Sequence, residues 1–278
     1  MSTPPKTMAQ RQTMAELFDR VAGTYDQVGV ELFKPIADRL VAELAPRPGE
    51  RALDVGCGRG LVLVNLAQAV APSGRAWGID ISPRMVEAAR EEAAIAGVTA
   101  DVRVGDAQAP ELEPGVYDLV ASSLVRFFLP DPLAALRAWR ALLVEGGRAG
   151  VTTFGDFTPQ WHAVNEIFEP YRPATMRDAR PTGRGGPFAS AAGMERLFAD
   201  AGFREVGTAS LKVPVRFVDE EHWYRWTWSV DRRAMWEAIP EQQRDAVRAR
   251  AYEALGGCRF GDGRIGFDQE VRLTRGRR

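Results

Sequence analysis

Lysine is nearly missing from this 278-residue chain: Lys6, Lys34 and Lys212 are the only ones, and arginine carries almost all the positive charge. A GC-rich bacterial coding sequence produces that bias. Cysteine and histidine are scarce too, two of each. Cys57 and Cys258 lie far apart, which excludes a disulfide framework or a CxxC pair and suits a reducing cytoplasm. His162 and His222 have no partner at metal-ligand spacing, so no metal is predicted. Excess charge of one sign is absent as well. The formal net charge is -1, too small for a field that gathers nucleic acid or anionic membrane. No apolar run reaches the roughly 18 residues of a membrane-spanning helix. Residues 1–14 are polar, with Pro4 and Pro5, and hold no apolar stretch of the signal-peptide kind.

The hydrophobic fraction, 45%, supports a substantial core. Residues 1–10 read as disordered. The rest, 11–278, reads as one domain: helices within 11–45, an alternating core over 50–153, and insertions over 154–188 and 217–257. Apolar spacing predicts helices over 11–21 and 31–44, the second stopped by Ala45-Pro46-Arg47-Pro48-Gly49. Strands are then expected over 51–55, 76–79, 102–104, 117–121 and 148–153. Helices alternate with them over 61–71, 83–96 and 131–144. That alternation implies βαβ units and a parallel sheet, with right-handed crossovers. Further on, helices are expected over 161–171 and 189–201, with a loop over 172–187 between them. Strands are expected over 206–215 and 266–273. Residues 219–256 read as helical with one break at Pro240. The cluster Arg275, Arg277 and Arg278 reads as a solvated, frayed end.

The most informative stretch is Ala52-Leu53-Asp54-Val55-Gly56-Cys57-Gly58-Arg59-Gly60. It follows a strand and opens a helix, as a nucleotide-type loop must. Twenty residues after Gly60, Asp80 ends the second strand in Gly78-Ile79-Asp80-Ile81-Ser82, where a carboxylate can accept from both ribose hydroxyls. The loop reads G-x-G-x-G and is preceded by an acid. Asp54 is a poor neighbour for a pyrophosphate and a good one for an ammonium group, which disfavours a dinucleotide. The phosphate-binding G-K-[S/T] is missing, which disfavours ATP. S-adenosylmethionine carries an ammonium, a sulfonium and an adenosine, and no phosphate.

Residues 53–60 resemble motif I of class I S-adenosylmethionine-dependent methyltransferases. Gly78 to Met85 resembles their ribose-binding segment, Gly105-Asp106-Ala107 the adenine-side motif, and Tyr117-Asp118-Leu119-Val120 the fourth-strand motif. Leu142 to Arg148 resembles the turn before the fifth strand, with Glu145 where proline is usual. Phe18 to Asp26 is similar to the entry segment of ubiquinone- and menaquinone-type enzymes. The resemblance runs in order over about 15–155. It implies an α/β fold: a doubly wound, seven-stranded, mostly parallel sheet with helical lid insertions. It also implies a site for S-adenosylmethionine. The backbone of Gly56, Cys57 and Gly58, with Ser122 and Ser123, would face the methionine end, and Asp54 its ammonium group. Asp80 would take the ribose hydroxyls. Ile81 and Met85 would lie against adenine, Asp106 would accept from its amino group, and Ala107 would stand beside it. Tyr25 would close over the carboxylate end.

The acceptor is expected to be a small, largely apolar organic molecule of natural-product or quinone-type metabolism, methylated on O, N or C. Nucleic acid is disfavoured. Ser122-Ser123-Leu124-Val125 stands where adenine- and cytosine-amino DNA enzymes carry their D/N-P-P-Y/F motif, the Pro-Cys pair of cytosine-C5 enzymes is missing, and no basic patch is interleaved with aromatics. The aromatics of the two insertions could shape a pocket or form the core of the lid. His162 and His222 are the candidate bases. Cyclisation or rearrangement on the same fold, and non-catalytic binding of S-adenosylmethionine, are the alternatives; the oligomeric state stays open.

Overall fold

The computed structural model describes residues 8–125, 128–173 and 186–278. It contains a seven-stranded sheet in the order β3-β2-β1-β4-β5-β7-β6. The strands are β1 (Arg51–Val55), β2 (Arg75–Asp80), β3 (Ala100–Val104), β4 (Tyr117–Ser123), β5 (Leu143–Phe154), β6 (Arg204–Phe217) and β7 (Ile265–Arg277). The first five run parallel, and β7 is antiparallel to both neighbours. Strand order reverses between β1 and β4, so a crevice opens at the carboxyl ends of those two strands.

The helices are α1 (Met8–Val21), α2 (Phe33–Leu44), α3 (Leu61–Val70), α4 (Pro83–Ile95), α5 (Pro132–Leu142), α6 (Pro159–Glu166), α7 (Ala191–Asp200), α8 (Glu220–Ser229), α9 (Arg233–Ala238) and α10 (Glu241–Leu255). Several starts are written locally as a capping residue followed by proline. Ser82 accepts from the Met85 amide before Pro83, Asp131 from Ala134 before Pro132, and Thr158 from Trp161 before Pro159. The cap satisfies an open amide, and proline needs none at the first helical position.

Alternation along the strands sets the two layers. Ala52, Leu119 and Ala121 share one core with α2 and α3, while Leu53, Val55 and Val120 share another with Trp139 of α5 and Phe198 of α7. The first core continues without interruption into the inserted helices α6, α8, α9 and α10. These cap the carboxyl ends of the strands.

Three of the sequence expectations need correction, and a fourth is mostly untested. Helix α1 already begins at Met8, so only residues 1–7 of the stretch expected to be disordered lie outside the description. The loop expected over 172–187 falls mostly outside the described residues. The helical stretch 219–256 breaks a second time, at residues 230–232, between α8 and α9. The arginine cluster is not a frayed end. Arg275 and Arg277 belong to β7, an interior strand paired on both sides, with Arg277 opposite Arg148 of β5 and Arg204 of β6. The Arg278 amide donates to the Gly147 carbonyl at 2.8 Å. The three charges read from sequence as solvated are thus fastened by backbone pairing. Among the described residues no helix is long and apolar enough to cross a membrane.

Removing residues 274–278 is expected to cost more than about 4 kcal/mol, the range of a disrupted interior network. That corresponds to a fall of about 10 °C in Tm, read by thermal unfolding. A change below about 2 °C would show that this end of β7 carries no stability.

Candidate functional site

At the switch point, strand β1 runs into the glycine loop and α3. The loop is anchored from below, where the Gly56 and Cys57 amides both donate to the Ile79 carbonyl, at 2.8 and 2.9 Å. It is anchored from the side by Asp80, whose Oδ2 accepts from the Gly58 amide and whose Oδ1 accepts from the Ser82 amide, each at 2.9 Å. Asp80 is therefore no helix cap; Ser82 caps α4. Two glycines here cannot be replaced freely. Gly56 has φ +73°, and a Cβ on it would stand 2.3 Å from a methyl of Val125. Gly58 has φ +51°, and a Cβ there would project into open space, the place where a ligand can approach the backbone.

Asp54 sits at the head of β1, 1% exposed, and neither carboxylate oxygen has a hydrogen-bond partner. An unpaired buried carboxylate is costly and shifts toward its neutral form. Burial raises its pKa to about 8, the nearby Asp80 carboxylate adds to the rise, and the Leu63 backbone amide offsets part of it. Arg59 offers the reverse vacancy. Its Nη1 donates to the Ala22 carbonyl at 2.7 Å and its Nη2 to Glu92 at 2.6 Å, while its buried Nε has no acceptor. Asp26, pushed up to about 6 by burial against the opposing pull of Arg59, lies on the same wall.

These groups line one cavity of roughly 1270 Å³, its mouth included. Of the residues singled out from sequence, Tyr25, Asp54, Gly56, Cys57, Gly58, Asp80, Ile81, Met85, Asp106, Ala107 and Ser123 all line it. Asp106 Oδ1 accepts from the Gln108 amide at 2.8 Å. The Ala107 carbonyl accepts from the Trp139 indole at 2.8 Å. Ser123 shares a hydrogen bond with Thr152 at 3.0 Å. The Cys57 thiol is buried, and burial with the nearby acids raises its pKa well above the usual value, which makes it filler rather than nucleophile.

Ser122 does not reach the cavity. Its side chain is fully buried, and its hydroxyl donates to the Val55 carbonyl at 2.8 Å, fastening β4 to the end of β1. His222 does not reach it either. It is 8% exposed, Nδ1 accepts from the Val218 amide at 3.2 Å, and Nε2 meets the Val28 carbonyl at 2.7 Å. This pattern assigns the neutral Nε2–H tautomer and leaves no nitrogen free, so His222 ties α8 to the segment after α1.

A second cavity, about 1260 Å³ with its mouth, lies under the cap. Tyr25, Phe33, Leu124 and Phe128 border both cavities. The inserted aromatics divide into two groups. Phe154, Phe157, Trp161 and Trp226 line the second cavity. Phe168, Trp223 and Trp236 pack the cap's interior instead, with the Trp236 indole donating to Thr227 at 2.8 Å. Trp161 stacks on Phe267 at 3.9 Å. His162 lines this cavity from the exposed face of α6, edge-on to Phe157 at 5.8 Å. The polar end holds Asp231, Arg232 and Arg172. Arg232 Nη2 donates to Asn165 Oδ1 at 2.6 Å; burial lowers its pKa to about 10 against the opposing Asp231 charge.

Three residues of these walls were not singled out from sequence. Arg59 stands inside the glycine loop itself, so its position was a usable signal. Asp26 ends the segment that resembles the family's entry segment, which was a usable signal as well; Asp231 gave none, because only folding brings its segment to the crevice.

Residues 52–147 match a family described as a methyltransferase domain. Nocamycin O-methyltransferase of Saccharothrix syringae is 38% identical over 252 residues, spanning 84% of this chain and 87% of that protein. Aklanonic acid methyltransferase DauC of Streptomyces sp. (strain C5) is 41% identical over 144 residues, 51% of this chain and 66% of that protein. Among solved structures, the YcgJ protein of Bacillus subtilis matches with a TM-score of 0.57 at 17% identity, covering 87% of this chain and 97% of that one, a likeness of fold alone.

Asp54 gives the ligand-free protein a definite pH response. Its folded pKa of about 8 exceeds the unfolded value near 4, so between those limits the folded state holds a proton that the unfolded state has lost. Stability then falls as pH rises from about 5 to 8, by at most about 1.4 kcal/mol per unit. Thermal unfolding of Asp54→Asn over that range is expected to show a flatter profile than wild type. An identical slope in both proteins would exclude an ionisable Asp54 as its source.

Proposed function

The chain belongs to the S-adenosylmethionine-dependent methyltransferase family, and from that premise we propose that it methylates a hydroxyl oxygen of a small, largely apolar and flat acceptor made in natural-product metabolism. One observation carries the reading. The unpartnered carboxylate of Asp54 and the unpartnered Nε of Arg59 line the same cavity, and that cavity borders an aromatic chamber through Tyr25, Phe33, Leu124 and Phe128. A buried acceptor and a buried donor at one wall fit the ammonium and carboxylate of an amino-acid moiety.

Asp54 then binds the ammonium group and Arg59 the carboxylate, with the Gly56, Cys57 and Gly58 backbone and Ser123 close to the methionine portion. Asp80 accepts from the ribose hydroxyls. It already receives two amide hydrogen bonds, and a carboxylate has about four lone-pair sites, so capacity remains. Ile81 and Met85 flank the adenine, Asp106 accepts from its amino group with Ala107 alongside, and Tyr25 closes the methionine end. The cofactor supplies an electrophilic methyl carbon on a positively charged sulfur. The protein's own work is to place the acceptor oxygen in line with that carbon and to keep water out, which accounts for most of the rate in such displacements.

The acceptor chamber is walled by Phe154, Phe157, Trp161, Trp226 and Phe267, which suits a flat ring system. The relative named nocamycin O-methyltransferase supports transfer to oxygen, and both it and the aklanonic acid methyltransferase support a small-molecule acceptor. A cytoplasmic setting belongs to the same reading, supported by two buried, unpaired cysteines, Cys57 and Cys258.

Calorimetric titration with S-adenosylmethionine and S-adenosylhomocysteine tests the reading. Wild type is expected to bind both in the micromolar range, and Asp80→Ala to lose at least about tenfold in affinity, the equivalent of one good hydrogen bond. Folded wild-type protein that binds neither ligand would sink the proposal.

A further inference from the structure

A neutral hydroxyl becomes a competent nucleophile toward carbon as it loses its proton, so an O-directed transfer calls for a base at the acceptor. The two histidines do not meet that need. His222 lies outside both cavities with each ring nitrogen held by backbone, and His162 stands on an exposed helix face. Among the carboxylates that line the acceptor chamber, Glu169 is paired with Arg172 at 2.5 Å, and Glu166 is exposed.

Asp231 differs from both. It occupies the turn at 230–232, where the inserted helices break, and it lines the chamber. No side chain of a described residue hydrogen-bonds to it or pairs with it. It is near enough to Tyr25 to act on that phenol, second only to burial in raising its pKa. Tyr25 borders both cavities, so Asp231, which acts on it, lines the chamber on the side where the two cavities meet.

Resting on the methyl-transfer reading above, we infer that Asp231 is the general base, taking the hydroxyl proton of a phenol or enol acceptor onto a carboxylate oxygen. The acceptor's O–H bond breaks and its proton passes to Asp231. The freed electron pair on oxygen forms the bond to the methyl carbon, and the pair of the broken carbon–sulfur bond stays on sulfur. Charge balances, because a carboxylate and a sulfonium become a carboxylic acid and a neutral thioether.

The surroundings suit the role. Burial raises the Asp231 pKa, while Arg232 on its own segment, Arg172 beyond α6 and the Arg232 and Asp231 backbone amides pull it down, and the balance is upward. Facing it are also Tyr25 with Asp26 behind, from the segment after α1, and Glu166, Glu169 and His162 around α6. A base poised above the ordinary carboxylate range is a better proton acceptor near neutral pH.

Two probes on one ring frame separate a base from a structural residue. 2-Naphthol keeps its proton at neutral pH, whereas 2,4-dinitro-1-naphthol is already an anion. With protein saturated in S-adenosylhomocysteine, Asp231→Asn is expected to weaken 2-naphthol binding by about tenfold, the loss of a charge-assisted hydrogen bond. The same substitution is expected to tighten binding of the dinitronaphtholate by removing a like charge. In turnover, Asp231→Asn should slow methylation of 2-naphthol by about 100-fold at unchanged affinity for S-adenosylmethionine. It should also remove the limb of kcat/KM that rises with pH as the carboxyl deprotonates. Equal weakening of both probes, or no change in either, would overturn the assignment. Wild-type protein that binds no S-adenosylhomocysteine would overturn the methyl-transfer reading and this proposal with it, whereas normal cofactor binding with the wrong probe pattern overturns the base alone.

Discussion

The Asp80 carboxylate receives one amide from the glycine loop after β1 and one from the turn that starts α4. Together with the Gly56 and Cys57 amides on the Ile79 carbonyl, those bonds tie the glycine loop to the end of the neighbouring strand. The loop is thereby held in shape by the same group that is proposed to meet the ribose. Organising the site costs part of the carboxylate's hydrogen-bonding capacity, but the arrangement is set before binding, which spares ordering entropy at that moment. Burial lifts the Asp80 pKa, and the two amides work against that rise. Asp54, one strand away, has no comparable support. Two acids at the ends of adjacent strands therefore stand differently: one is satisfied and holds the loop, the other has no hydrogen-bond partner, as the proposed contact with an ammonium group requires.

The cap obeys a similar division. Its aromatics could in principle all have been wall or all core. Trp223 and Trp236 meet each other and Phe168 in the interior, which fixes the inserted helices as a body. Trp161 and Trp226 belong both to that core and to the chamber surface. A wall rooted in a packed core holds its shape better than a wall of loop side chains, and the flat acceptor proposed above would need such a wall to present one oxygen in one direction.

The cofactor half of the crevice was legible in the sequence because its chemistry is local. A strand, three glycines and an acid twenty residues on are adjacent in the chain and define their own geometry, and Ser82-Pro83 writes the start of α4 beside them. Ser122 was misplaced for an equally local reason. Adjacent residues on a strand face opposite sides, so only one of Ser122 and Ser123 could line the wall, and the pattern alone does not say which. The acceptor chamber was hidden because its residues are drawn from the segment after α1, the end of β4, both insertions and β7. His222 looked available for catalysis because its partners, Val28 and Val218, are backbone groups that no motif displays. The true position of Arg275 and Arg277 was equally invisible, since it depends on β7 entering between two strands rather than on any property of those arginines.

Both insertions leave from strand ends and return to the same sheet, so each is a closed excursion from a scaffold that is complete without it. The family match lies within residues 52–147, wholly on the scaffold side, ahead of either excursion. Inheritance can therefore treat the two parts separately. Given the proposed acceptor chamber, change in the excursions alters which molecule is admitted while the methyl-donor half is left intact, and a lineage can change its product without first surviving the loss of its reaction.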